Sequence, residues 1–155
     1  MKVREKLLAL IFLVNFHGGG KNISSDKIFI DKWDNETNTD FLTKEELQSY
    51  ITSKGFQNVE LVDGDILDTL DVYVKNNPHL RIAFLHIDTD VYSPAKVGLS
   101  KLFNRVVRGG IIVFDDYACV EGETVAADEF LANHTQYTLQ KFGFSHAKPS
   151  FIVKQ

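Results

Sequence analysis

The chain is poor in the residues that build cross-links. Cys119 is the single cysteine among 155 residues. No intramolecular disulfide can form, and a cysteine-ligated metal cluster is excluded. Cys119 reads as a small apolar filler rather than a nucleophile. Positive charge is also scarce. There are 17 Lys and Arg against 21 Asp and Glu, a net charge of -4. Neutralising phosphates needs a basic surface, so no nucleic-acid partner is expected. No apolar run is long enough to cross a bilayer, and no membrane partner is expected. The longest candidate, Leu7–Val14, follows basic residues as a leader would, but no small-residue cleavage site comes after it. It reads better as a buried strand or helix in a cytoplasmic protein. The sequons at Asn22, Asn35 and Asn133 would matter only in a secretory setting. Internal repeats and low-complexity tracts are absent as well.

What is present is ordinary for a globular protein. Apolar residues make up 44% and charged residues 25%, which at this length suggests one domain over residues 1–155 with one core. Apolar segments alternate with helical patterns, the mark of an α/β fold with a mostly parallel sheet. Lys27–Ile30 reads as a short strand ending at Asp31, and Asp34–Asp40 as a loop. Thr43 and Glu46 form a capping box for a helix that Gly55 stops. Asn58–Val62 is the next strand, ending at Asp63-Gly64-Asp65, and a helix follows over Leu67–Lys75. Ile82–Ile87 is apolar throughout, which fits a central strand covered on both faces. Ser93 and Pro94 are good N-cap and first-turn residues for a helix that ends before Gly109-Gly110. Ile111–Phe114 is a second buried strand. A helix around Glu123–Leu131 precedes a closing antiparallel pair, Tyr137–Lys141 and Ser150–Lys154.

Chemistry concentrates where the two buried strands end. Asp88 closes the first, with Asp90 two residues on, and Asp115-Asp116 closes the second. Ligands of open α/β sheets bind outside the carboxyl ends of the strands. Neighbouring strands lie about 5 Å apart, so these carboxylates would converge. Anions this close are relieved by a shared proton or a cation. With no cysteine and no histidine pair, the set favours a hard ion such as magnesium, held by Asp88, Asp115 and Asp116. Asp90 points to the same side if the strand stays extended, and is then free to act as general base. Strand-ending aspartates can also be plain turn formers and caps, which accounts for one or two of the four. His86 reads as a core histidine, and Tyr92 and Tyr117 as packing aromatics.

The stretch His86-Ile87-Asp88-Thr89-Asp90-Val91-Tyr92, then a helix, then residues 109–117 reading Gly-Gly-Ile-Ile-Val-Phe-Asp-Asp-Tyr, resembles the macrocin O-methyltransferase family. Those are class I S-adenosylmethionine-dependent enzymes that methylate sugar hydroxyls. Gly64-Asp65 with Asp68-Thr69-Leu70, and Val125, Asp128, Glu129 and Phe130, are similar to further family segments. The resemblance implies a Rossmann-like three-layer fold, with the first βα unit missing or degenerate here. Only Leu7–Val14 and Gly18–Gly20 could stand for that unit. It implies magnesium at Asp88, Asp115 and Asp116, and the base at Asp90. It places Asp31 at the ribose of the methyl donor, and Gly64 and Asp65 at its adenine. The acceptor would be a small molecule bearing a hydroxyl, and an uncovered sheet edge would favour self-association.

Three rival readings share part of the pattern. Asp-Thr-Asp-Val after an apolar strand is similar to haloacid dehalogenase-type phosphatases. Those normally carry much more chain between their first and last acidic motifs. An Asp-x-Asp glycosyltransferase would not need the Asp115-Asp116 pair. A binding module that keeps the aspartates without turnover is the non-enzymatic alternative.

Overall fold

In the computed structural model, residues 9–12, 23–37, 43–144 and 149–155 are described. The glycines 18–20 and most of the segment around residue 40 lie outside them. Strand β1 (Ala9–Phe12) precedes helices α1 (Ser24–Thr37) and α2 (Lys44–Ser53). Strand β2 (Val59–Val62) leads into α3 (Ile66–Asn76), and β3 (Ile82–Ile87) into α4 (Tyr92–Leu102). A 3-10 turn (Phe103–Arg105) then connects to β4 (Val106–Phe114). Helix α5 (Glu121–Ala132) and strands β5 (Gln140–Lys141) and β6 (Ser150–Val153) complete the order. None of these helices is long and apolar enough to cross a membrane.

The strands form two sheets. β1 and β2 pair in parallel. The larger sheet has the order β3-β4-β6-β5, with β3 and β4 parallel and β6 antiparallel to both its neighbours. This is the expected α/β class, with a parallel pair and closing antiparallel strands. Leu7–Val14, left open between strand and helix, contains a strand.

Local chemistry explains most elements. Thr43 and Glu46 form the full capping box of α2. The Asp65 carboxylate accepts from the Leu67 N–H at 2.8 Å and caps α3. Ile66, Leu70 and Tyr73 then recur at helical spacing on the buried side of α3. Leu85 and Ile87 of β3, Ile112 and Phe114 of β4 and Ile152 of β6 join the same core as Leu70, Leu99, Ala126 and Ala127 from the helices. Phe114, Leu70, Ile112 and Ile152 are wholly buried, each stabilising by about 1.5–3 kcal/mol.

Four expectations need correction. Lys27–Ile30 is not a strand but part of α1, which also takes up residues 34–37 of the expected loop. The i,i+4 pairs Lys27–Asp31 and Lys32–Glu36 support that helix. Ile82–Ile87 is not covered on both faces, because Phe84 stays 60% exposed and His86 is exposed. The strand after α4 begins at Val106 rather than Ile111, so the pair Gly109-Gly110, before which α4 ends as expected, is no loop. It lies within β4, where Gly109 takes φ 75° beside an irregularity in the β3–β4 register, as a bulge requires. Ser93 is not the N-cap of α4, which is Val91 with no side-chain cap, while Pro94 falls in the first turn as expected. The Asp26 carboxylate of α1 substitutes, accepting from the Tyr92 N–H at 3.1 Å.

Candidate functional site

Two parallel strands place the acidic pair. Ile87 is level with Phe114 in the β3–β4 register. The Asp115 N–H still donates to the Ile87 carbonyl at 3.0 Å, one residue beyond the strands. Asp88 and Asp115 therefore leave the sheet side by side. Along β3 and just past it, Leu85, Ile87 and Thr89 are buried while Phe84, His86 and Asp88 are exposed. That alternation sets His86 and Asp88 on one face. His86 Nε2 lies 3.1 Å from Asp115 Oδ1. His86, Asp88 and Asp115 each offer a ligand atom, all within 4.8 Å of one another. Nitrogen and carboxylate donors so disposed fit a divalent cation. His86 is thus not the core histidine expected from its apolar neighbours.

The other expected residues are placed differently. Asp116 is buried and is not in that trio. Its carbonyl accepts from the Cys119 and Val120 N–H groups, which closes the turn into α5. Asp90 does not continue an extended strand, which corrects the premise that aligned it with Asp88. It takes φ 59°, a left-handed conformation that Asp tolerates. Its carbonyl accepts from the Glu123 N–H at 3.0 Å. Gly64, with φ 110°, and Asp65 follow β2 in the smaller sheet. Asp31 is exposed in mid-helix, bonded to Lys27, and not at a strand end. Cys119 is exposed in the turn before α5 and fills no core.

Glu123 is the residue the sequence reading missed. It is 1% exposed, in the first turn of α5. Its two carboxylate oxygens accept from the Thr89 N–H (3.3 Å) and the Asp116 N–H (3.0 Å). One side chain therefore ties the loop after β3 to the loop after β4. Burial pushes its carboxyl up to about 7, against the two backbone hydrogen bonds, which favour the anion. The available signal was an acid on a buried stripe, since Glu123, Ala126 and Ala127 share one face.

Asp26 adds a second buried acid. It accepts from Ile23 N and Tyr92 N through Oδ2. Its Oδ1 has no hydrogen-bond partner among the described residues. Burial raises this carboxyl above its ordinary range. Gly122 makes room for it, because a Cβ there would sit 2.1 Å from Asp26 Oδ1. On the rim, Tyr92 donates to Glu129 at 2.7 Å and Tyr117 to Asp128 at 2.8 Å. Both rings pack on the core, as expected of them. Their hydroxyls add specific anchors to α5.

Comparison with known proteins bears on the same region. A family described as Macrocin-O-methyltransferase (TylF) matches residues 40–140. That stretch holds Gly64, Asp65, Asp88, Asp90, Asp115 and Asp116, but not Asp31. No curated protein matches by sequence. Among solved structures, the O-methyltransferase NovP aligns with TM-score 0.77 at 17% identity, over 96% of this chain and 60% of that one. Apo CalS11, a TDP-rhamnose 3'-O-methyltransferase of calicheamicin biosynthesis, aligns with TM-score 0.60 at 22% identity, over 73% and 53%. A second CalS11 structure gives TM-score 0.58 at 26% identity, over 71% and 44%. The chain thus spans roughly half the length of the structures it matches.

Proposed function

The chain belongs to the macrocin-O-methyltransferase family, and from that premise we propose that it forms the catalytic part of an S-adenosylmethionine- and magnesium-dependent O-methyltransferase. The acceptor is a hydroxyl of a sugar or another small molecule. The observation that supports this reading best is the convergence of Asp88 and Asp115 at adjacent parallel strand ends, inside the matched stretch.

When bound, the methyl donor supplies an electrophilic methyl group, and the cation lowers the pKa of the acceptor hydroxyl. The chain's own residues do the rest. Asp88 and Asp115 hold the cation, with Asp116 the third carboxylate that the family implies. Asp90, as the base that the family implies, would take the hydroxyl proton while the oxygen displaces the methyl group from the donor's sulfur, which keeps the electron pair of the broken bond. Gly64 and Asp65 are the residues proposed to meet the nucleoside. Glu123 fixes both loops by their backbone, so that acceptor and base keep their alignment.

Calorimetric titration with S-adenosylmethionine and magnesium tests the reading. The folded chain is expected to bind the donor, and failure to do so would leave a binding module as the better description. Asp90→Asn is expected to retain cation binding and lose turnover by 100-fold or more. Full activity in that variant would remove Asp90 as base.

A further inference from the structure

His86 carries chemistry that an all-carboxylate site does not use. Its side chain is 41% exposed, on the same face as Asp88, with Nε2 3.1 Å from Asp115 Oδ1. We infer that His86 is a direct ligand, making a mixed site of His86 Nε2, Asp88 and Asp115 that takes magnesium but holds manganese, a first-row transition cation, more tightly. The inference deepens the cation site proposed above and rests on Asp88 and Asp115 being its ligands, though not on methyl transfer.

Distances support it. Ligand atoms bound at about 2.1 Å can be no more than about 4.2 Å apart across the ion. The His86–Asp115 separation already meets that limit. The 4.8 Å bound on the whole trio leaves at most about 0.6 Å to close, within the reach of carboxylate rotation. Donor type supports it too. Imidazole nitrogen suits transition ions, whereas magnesium prefers an octahedron of oxygens. Three protein ligands also leave coordination positions for an acceptor oxygen.

The frame is independently rigid. Asp115 is fixed by its N–H to Ile87, and the two ligand-bearing loops are tied together by buried Glu123. Fixed ligands of this kind are what a metal site requires. A solvent-exposed His–Asp pair alone contributes little to stability, so it gives a weak account of this placement.

The test uses the untagged 155-residue chain with MnCl2 and MgCl2 as probes. Pulsed electron paramagnetic resonance of the manganese-loaded protein is expected to show nitrogen-14 modulation from one imidazole. Calorimetry is expected to give manganese a tenfold or greater preference over magnesium. His86→Gln should lose the nitrogen modulation and at least tenfold of that preference, with an unchanged melting temperature. Absent modulation in the native chain, modulation that survives in His86→Gln, or an unchanged preference would overturn the inference. The native-chain spectrum decides the matter even if the variant fails to fold. Magnesium binding with methylation but without nitrogen modulation would sink this inference alone. Nitrogen modulation in a chain that binds no methyl donor would sink only the transferase reading.

Discussion

Glu123 shows how much one side chain can organise. Replacing it with alanine leaves the Thr89 and Asp116 amides without their acceptor. Glu123→Ala is expected to lose about 2 kcal/mol in urea denaturation, the scale of stranded buried donors. Tyr73 carries a pH signature. Burial, with its bond to Glu60, pushes its hydroxyl up to about 12. The folded state thus favours the neutral phenol. That stabilisation is whole below pH 10 and fades as pH rises through 12. Thermal melts between those values should fall more steeply for the native chain than for Tyr73→Phe. At this scale the sequence was partly readable. Asp88 and Asp115 stood out because each follows an apolar run. His86 did not, because alternating exposure cannot be seen in a run whose other residues are all apolar. Asp90 was misaligned because an extended continuation was assumed where the chain turns left-handed.

Elements differ in what fixes them. Helix α2 depends on its own ends, since few of its residues are buried. Thr43→Ala is expected to cost it about 1 kcal/mol, seen as faster amide exchange along the helix. Helix α1 depends on a distant fit. Its Asp26 caps α4 and sits over Gly122 of α5. A methyl at Gly122 would also meet Tyr92 N at 2.7 Å. Gly122→Ala should therefore cost about 1–3 kcal/mol, the usual range for overpacking, and speed exchange of the Tyr92 amide. The capping box of α2 was legible because its residues are three apart. The cap of α4 was not, because donor and acceptor lie 66 positions apart. In α1 the i,i+4 charge pairs were present in the sequence, but a short apolar run outweighed them.

For the whole molecule, alternating apolar and amphipathic segments were enough to give the α/β class and the antiparallel close. The division into two sheets left no local mark, since pairing of distant strands is a tertiary choice. Among the described strands it sets β3 at the edge of the larger sheet, with Phe84 exposed beside it. Exposed edges promote association. Sedimentation velocity is expected to show concentration-dependent self-association that Phe84→Lys reduces.

The strand order also makes one strand the link between the two ends of the larger sheet. β6 is the last strand in the chain, yet it lies between β4 and β5. Its partners are Phe114 through Ile111 on one side and Gln140 and Lys141 on the other. β5 comes earlier in the chain, but it has nothing else to pair with. The flank of β4 that carries Ile112 would be bare without the same strand. Among the described strands β5 thus joins the sheet only through β6, and without β6 the sheet is reduced to the β3–β4 pair.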